Sequence, residues 1–132
     1  MKTIAGLNIQ YPISRLILNG QKTIETRTYP IPAKYVGVEM AIIETPGRDR
    51  SFEARVVGLI QFSGCFKYKS KKEFYEDSHR HFVTEDTAWK WESKKPKWGW
   101  QISRVTVFKN SMKAPAKRGI VYTQNVALDG LG

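Results

Sequence analysis

Six short segments of the chain carry the apolar or β-branched patterning of strands, and only two or three short stretches between them carry helix signals. A regular βαβ array needs a helix after nearly every strand, so this pattern excludes one. A small mixed or antiparallel β structure with a few flanking helices is predicted instead. The predicted strands cover residues 7–9, 22–28, 38–43, 52–62, 100–108 and 120–126, and the predicted helices begin near Pro12, Lys71 and Thr84.

Two local signals refine this pattern. Ser70 and Glu73 fit a capping box, in which each side chain satisfies a backbone N–H group of the first helical turn. In the strand predicted at 100–108, the apolar parity slips between Ile102 and Val105. We therefore expect a β-bulge near Ser103 and Arg104, because one extra residue shifts the faces of a strand.

Length and residue usage narrow the class of protein. A chain of 132 residues has the usual size of one domain, and we expect that domain to span residues 1–132. No apolar run approaches the roughly 18 residues that a membrane span needs, and no secretory signal precedes the first strand. A lone Cys65 fits a reducing compartment. We therefore expect a cytoplasmic monomer without a membrane segment.

The charge balance indicates the kind of partner. Lys and Arg number 22 against 12 Asp and Glu, which gives a formal net charge of +10. A positive field of this size concentrates polyanions, of which nucleic acid is the commonest. The alternatives are a basic face that contacts an acidic protein, or an excess of lysine that only keeps the chain soluble.

The strongest local motif is the segment from Gly20 to Arg27, directly after the stop signal Asn19-Gly20 of the first predicted helix. Strand geometry places Glu25 and Arg27 on the same face. Lys22 has the opposite parity and joins them only if the chain is still bending there. The alternative is a surface strand with an ion pair of little energetic value.

The run Pro12 to Arg27, with its Gly-x-Lys-x-x-Glu-x-Arg sequence, resembles the signature of the ASCH domain, a family of the PUA-like superfamily. The likeness continues more weakly through Arg55–Phe62, Gly99–Trp100 and Pro115–Tyr122. It implies an α+β, mainly β fold: a PUA-like small β-barrel of about six strands flanked by two or three short helices, with the motif residues lining a cleft at its mouth. Because the family is RNA-related, the resemblance also implies RNA or a modified nucleoside as the partner.

Gly20, Lys22, Glu25 and Arg27 match the family motif and are the first candidates for ligand binding. Lys22 can donate to phosphate or to a base carbonyl, and Glu25 can accept from the amino group of cytosine or adenine. Arg27 either binds phosphate or holds Glu25 ionised and oriented.

An enzymatic alternative also follows from the resemblance. Some small bacterial members remove an acyl group from a modified cytidine nucleoside and use a Thr nucleophile three residues after the Lys. In this chain that position is Glu25, so Lys22 and Glu25 would be the catalytic residues, with further acid from Glu73, Glu76 or Asp77. Ribonuclease action is associated with the family too, but no paired-histidine arrangement predicts it here.

Four tryptophans are interleaved with lysines between Trp89 and Trp100, a pattern that suits stacking on single-stranded nucleic acid. Trp98 and Trp100 are candidate ligand residues, and Trp100 belongs to the core or to the floor of the cleft. The remaining three tryptophans, Trp89, Trp91 and Trp98, are difficult to bury together beside so many lysines. At least one of them should therefore be exposed.

Two further basic clusters lie at Lys67–Lys72 and Lys113–Arg118. Tyr68 and Lys69, from the first, are additional candidates for stacking and for phosphate. If the clusters converge on the cleft they form a phosphate-tracking surface, and if they scatter they are solvated loops.

The run from Asp77 to His81 contains two histidines and a carboxylate, which are zinc ligands. Alternate positions share a face only in an extended chain, whereas this run starts inside a predicted helix. We expect no metal and no cofactor, and we expect His79 or His81 to end the helix or edge the cleft.

Overall fold

The computed structural model of the protein describes residues 2–48 and 51–128. Within these ranges the chain forms six strands, three short α-helices and one 3-10 turn at Ala33–Tyr35. The strands are β1 (Lys2–Gln10), β2 (Ile24–Arg27), β3 (Met40–Thr45), β4 (Arg55–Lys67), β5 (Trp98–Lys113) and β6 (Tyr122–Leu128), and the helices are α1 (Ile13–Leu18), α2 (Lys71–Glu76) and α3 (Ser78–His81). The predicted α+β, mainly β architecture is confirmed in its strand and helix numbers.

All six strands form one mixed sheet with the order β2-β5-β4-β3-β1-β6. Strands β1 and β3 run parallel, and the other neighbouring pairs are antiparallel. No ladder joins the two edge strands β2 and β6 within the described ranges, so the term barrel describes this sheet only loosely. The two sides of the gap meet instead through a side chain, because Arg27 Nη2 donates to the carbonyl of Asn8 on β1 at 3.2 Å.

Both faces of the central strands are buried, which explains their nearly continuous apolar sequence. Successive residues of β3 point to opposite faces. Ile42 belongs to a core that also contains Phe62 and Trp100, whereas Ile43 packs into a second cluster with Val126. Each large apolar side chain buried in this way contributes about 1.5–3 kcal/mol.

A buried carboxylate fastens α1 to the sheet. Glu44 on β3 is 0% exposed, and its Oε2 accepts from Ser14 Oγ at 2.6 Å and from Arg15 Nε at 3.0 Å. The helix then ends at Asn19, and Gly20 turns the chain with a φ of 83°, a conformation that costs glycine little. This turn delivers the chain to β2 beside the gap in the sheet.

Two of the local predictions are confirmed. The ladder between β4 and β5 skips Ser103, because Gln61 pairs with Arg104 and Phe62 pairs with Ile102. Ser70 caps α2 by accepting from the backbone N–H of Glu73 at 3.1 Å. The Glu73 half of the capping box differs from the prediction, because its carboxylate accepts from the N–H of Lys69, one residue before the cap.

The helix predicted after Thr84 is wrong. That segment consists of turns, and the Thr84 hydroxyl donates to the Asp86 carboxylate instead of capping a helical N–H group. The helix predicted to begin near Lys71 is divided at Asp77 into α2 and α3. No helix among the described residues is long and apolar enough to span a membrane.

Candidate functional site

A cavity of about 410 Å³ opens in the gap between β2 and the carboxyl-terminal half of β1. Its polar wall contains Asn8, Lys22, Glu25, Arg27, Tyr29 and Lys97. Ile9, Ile13, Val83 and Val121 supply apolar surface. The volume and this mixture of apolar walls with a few convergent polar groups are typical of small-molecule sites.

Three charged side chains of the Gly20–Arg27 motif meet at the wall of this cavity. Lys22 Nζ lies 3.4 Å from Glu25 Oε1, and Arg27 Nη2 lies 2.8 Å from Glu25 Oε2. Lys22 is 2% exposed and Glu25 is 6% exposed. The three side chains, called the motif cluster below, carry a net charge of +1; Lys22 and Glu25 lie almost entirely out of water, and Arg27 is partly buried.

The surroundings of the motif cluster shift all three pKa values. Burial lowers the pKa of Lys22 although Glu25 opposes the change. Burial alone would raise the pKa of Glu25, but Arg27 and Lys22 outweigh it and lower that pKa. The pKa of Arg27 is raised, because Glu25 outweighs the opposing effect of burial. Glu25 is therefore held ionised between two cations.

Local backbone geometry brings Lys22 to the same side as Glu25. Lys22 precedes β2, its backbone N–H donates to the Leu16 carbonyl at 2.9 Å, and its Nζ donates to the His81 carbonyl at 2.5 Å. The chain is thus still bending at Lys22, which removes the parity conflict that a straight strand would impose. Glu25 and Arg27 share a face, as their spacing predicted.

Polar atoms without partners lie beside the motif cluster. Asn8 Oδ1 lines this site and the Tyr122 hydroxyl lies near it; both are buried and form no hydrogen bond within the described chain. The Tyr29 hydroxyl also lines the site and lies close enough to Arg27 to help raise the pKa of that guanidinium. Asn8 uses its Nδ2 to hold the carbonyls of Gly119 and Ile120, which leaves its Oδ1 available. Buried polar atoms are rarely left without partners, so these atoms identify a place where a polar ligand would gain hydrogen bonds.

Trp89 and Lys97 line the cavity, although the sequence did not single them out as ligand residues. Trp89 is 41% exposed there, which confirms that at least one tryptophan of the Trp89–Trp98 stretch is exposed. Lys97 is 6% exposed, and its Nζ donates to the Trp89 carbonyl at 2.7 Å. Burial lowers the pKa of Lys97. The interleaving of tryptophan with lysine was the available signal, but it did not single out these two positions.

Five of the eight predicted ligand residues do not line the cavity: Gly20, Tyr68, Lys69, Trp98 and Trp100. Trp100 is 0% exposed in the core beneath Arg27, and its Nε1 donates to the Tyr29 carbonyl at 3.0 Å. Trp98 is half-buried against the same core. Tyr68 is buried because its ring packs on Phe74 and its hydroxyl donates to Asp77, and burial raises its pKa. Lys69 is exposed at the start of α2.

Gly20 contributes only the turn, since nothing lies within 4 Å of the position that a Cβ would occupy there. Of the three basic clusters, only Lys97 lines the cavity. Lys113 and Arg118 lie at a separate depression of the surface, and Lys71 pairs with Glu85. The clusters therefore scatter and do not converge.

His79 and His81 do not belong to a metal centre among the described residues, where no group of three metal-ligating side chains occurs. His81 is buried with both ring nitrogens used: Nε2 lies 2.6 Å from the Phe74 carbonyl, and Nδ1 accepts from the Val83 N–H at 2.9 Å. This pattern requires a neutral ring with the proton on Nε2. His81 thus positions the carbonyl that receives Lys22.

Glu25 is the only carboxylate that lines the cavity in the described part of the chain. Asp77, a candidate for further acid, instead binds Tyr68 and Arg80. Glu73 caps α2, and Glu76 pairs with Lys72 on the surface. None of these three can assist Glu25 in this arrangement.

The fold and the cavity define a class of mainly β protein with a small polar site between two sheet edges. Three solved structures of ASCH proteins from Zymomonas mobilis share this fold. A serine-to-alanine variant superposes with a TM-score of 0.70 at 15% identity, covering 91% of this chain and 86% of that chain. The ASCH protein itself gives 0.65 at 16% identity, covering 83% and 72%.

A tyrosine-to-phenylalanine variant gives a TM-score of 0.63 at 14% identity, covering 83% of this chain and 74% of that chain. No family model and no curated protein sequence matches the chain. At these identities the likeness concerns the fold, and the chain has an ASCH-like fold, as the Gly20–Arg27 motif predicted.

Proposed function

We propose that the cavity binds one nucleoside unit, either free and modified or as part of an RNA chain. The observation that carries the proposal is the motif cluster itself: among the described residues Glu25 has only two cationic partners, whereas a carboxylate can accept about four hydrogen bonds. Glu25 and Asn8 Oδ1 can accept, Lys22 can donate, and the Tyr29 hydroxyl can do either. A nucleobase edge presents the same alternation of donors and acceptors.

The remaining walls suit the rest of such a ligand. Ile9, Ile13 and Val83 offer apolar surface to a flat ring. Trp89 offers an aromatic face at the exposed side of the cavity, where stacking contributes about 1–3 kcal/mol per base. The net charge of +10 favours approach of a polyanion.

Hydrolysis of an acylated cytidine is the less favoured alternative, for a reason that lies in Glu25. A general base works best when its pKa is near the operating pH, whereas Arg27 and Lys22 lower the pKa of Glu25 from 4.5. No second carboxylate of the described residues lines the cavity to complete an acid–base pair. The site is therefore better suited to binding than to proton transfer.

The experiment is a titration followed by tryptophan fluorescence and calorimetry. Its ligands are the four nucleosides, N4-acetylcytidine, and random single-stranded RNA, and chromatography of each mixture detects released cytidine. We expect saturable binding of at least one nucleoside, with no turnover of N4-acetylcytidine. Tighter binding of RNA than of any nucleoside would identify a unit of an RNA chain as the ligand, and tighter binding of a nucleoside would identify the free nucleoside. Folded protein that binds none of these ligands contradicts the proposal, and release of cytidine establishes the hydrolase.

A further inference from the structure

Lys97 is a buried cation without a carboxylate partner. Its residue is 6% exposed, yet no Asp or Glu oxygen in the described ranges lies within the 4 Å of an ion pair. Glu92 acts on it only at longer range and is itself paired with Lys95 at 3.2 Å. An ammonium group removed from water without a counter-ion is destabilising, so residues of this kind are rare unless something anionic binds them.

The only hydrogen-bond partner of the Lys97 ammonium in the described chain is the Trp89 carbonyl. An ammonium group has three donors, so two remain available. Lys97 lines the same cavity as the motif cluster, and in residues 2–48 and 51–128 the charged side chains that line it are three cations and one carboxylate. The cavity therefore has an excess of positive charge that a neutral nucleoside would leave unbalanced.

The position of Lys97 relative to the motif cluster follows from the strand register. Trp98 pairs with Arg27 and Trp100 pairs with Glu25, so Lys97 lies just beyond the Arg27 end of β2. Three residues along the chain separate Lys97 from Trp100, the strand partner of Glu25, which corresponds to about 10 Å between the two backbone levels. That separation is comparable to the length of a nucleotide from its base edge to its phosphate.

We propose that Lys97 forms an anion subsite of the cavity and binds the phosphate of a nucleoside monophosphate unit whose base contacts the motif cluster. This inference rests on the proposed function, since it assumes that a nucleoside occupies the cavity. It adds that the bound unit is phosphorylated, either as a free mononucleotide or through the backbone of RNA. The Lys97 ammonium would then have the counter-ion that no described carboxylate supplies.

The test compares each nucleoside with its 5′-monophosphate and 3′-monophosphate by calorimetry at one salt concentration, with ribose 5-phosphate as the ligand that lacks a base. We expect one monophosphate of the preferred nucleoside to bind at least about tenfold more tightly than the nucleoside, as a charge-assisted hydrogen bond to phosphate predicts. Ribose 5-phosphate should bind more weakly than that monophosphate.

Lys97→Gln should remove the preference for the monophosphate over the nucleoside, and Lys97→Arg should retain that preference. Lys94→Gln is the matched control, because Lys94 is exposed in the same segment and the substitution removes the same charge. Equal affinity of the unaltered protein for nucleoside and monophosphates would overturn the Lys97 subsite and leave the proposed function intact. A preference that survives in Lys97→Gln would also overturn it. If neither nucleosides nor monophosphates bind, the proposed function itself fails.

Discussion

Two buried carboxylates of this protein, Glu44 and Glu25, have similar charged partners and different hydrogen bonding. Glu44 is 0% exposed, and its two oxygens receive five contacts from Ser14, Arg15 and Arg55, all between 2.6 and 3.0 Å. Glu25 receives two, from Lys22 at 3.4 Å and Arg27 at 2.8 Å. The lowered pKa of each shows that both are ionised near neutral pH.

The difference separates a structural ion cluster from a candidate binding cluster. The Glu44 oxygens have no acceptor capacity left for another molecule, and Glu44 does not line the cavity. Glu25 retains acceptor capacity and faces the cavity beside the unpartnered Oδ1 of Asn8. The Glu44 carboxylate, whose hydrogen bonds are all formed within the protein, holds α1 on the sheet. The Glu25 carboxylate, whose hydrogen bonding is incomplete, can bind a ligand.

Glu25→Gln should have the largest effect, since it changes both stability and binding. Lys22 and Arg27 lose the only carboxylate with which they form ion pairs in the described chain, so we expect the free energy of unfolding to fall by about 3 kcal/mol. Loss of a charged acceptor should also weaken nucleoside binding by about 2 kcal/mol. Urea denaturation measures the first change and calorimetry measures the second.

A double variant provides a second test of this prediction if Glu25→Gln is poorly folded. Lys22→Met with Glu25→Gln removes one charge of each sign and should recover part of the lost stability. Nucleoside affinity should stay low because the donor and the acceptor are both missing. Recovery of full affinity in the double variant would show that the motif cluster is structural, like that of Glu44.

Glu44→Gln should affect stability alone. We expect a loss of about 2 kcal/mol in urea denaturation, below the roughly 3–5 kcal/mol of a fully buried broken pair, because Arg15 and Arg55 both reach solvent. Nucleoside affinity of the folded variant should equal that of the unaltered protein. Glu39→Gln, at a more exposed carboxylate paired with Lys2, is the control and should change stability by less than about 1 kcal/mol. Weakened nucleoside binding by the Glu44 variant would contradict the distinction between the structural ion pairs of Glu44 and the ligand-binding role of the motif cluster.

Trp89→Leu should lower affinity by about 1 kcal/mol through lost stacking, with little change in stability, because Trp89 is 41% exposed at the cavity. Trp91→Leu is the matched control. Trp91 packs against Phe74 at a centroid distance of 5.7 Å, so that variant should lose stability and keep its affinity. Fluorescence quenching on ligand addition should disappear in the first variant and persist in the second.

Local rules predicted those features that depend on neighbours in the chain. Strand parity placed Glu25 and Arg27 on one face, the Ser70 cap follows from residues three apart, and the bulge at Ser103 follows from a slip in apolar spacing. The open sheet could not be predicted in the same way. Its gap depends on where β2 and β6 finish relative to each other, which is a property of the whole fold.

Burial of charged residues was also beyond local rules. Lys97 ends a segment without periodicity, and its burial depends on the Trp89 backbone that it holds. Glu44 is buried because α1, some thirty residues earlier in the chain, covers it. Trp100 was expected in the core or at the cleft floor, and its contacts with Tyr29 and Phe62 place it in the core. In each case a long-range contact decides the environment.

Lowering the pH should remove the stabilising effect of both carboxylates. Near neutral pH, this effect on the free energy of unfolding is the smallest of the predicted changes. The pKa values of Glu25 and Glu44 are lowered from 4.5 in the folded protein, so the unfolded chain binds protons first as the pH falls. Their stabilisation is complete above about pH 4.5, which is the ordinary value, and is lost progressively below it. Urea denaturation at pH 7, 5 and 3 should show the stability difference between the unaltered protein and Glu44→Gln narrowing only in the acid range. A difference that stays constant down to pH 3 would mean that Glu44 acts through packing, and its contrast with Glu25 would then not be one of charge.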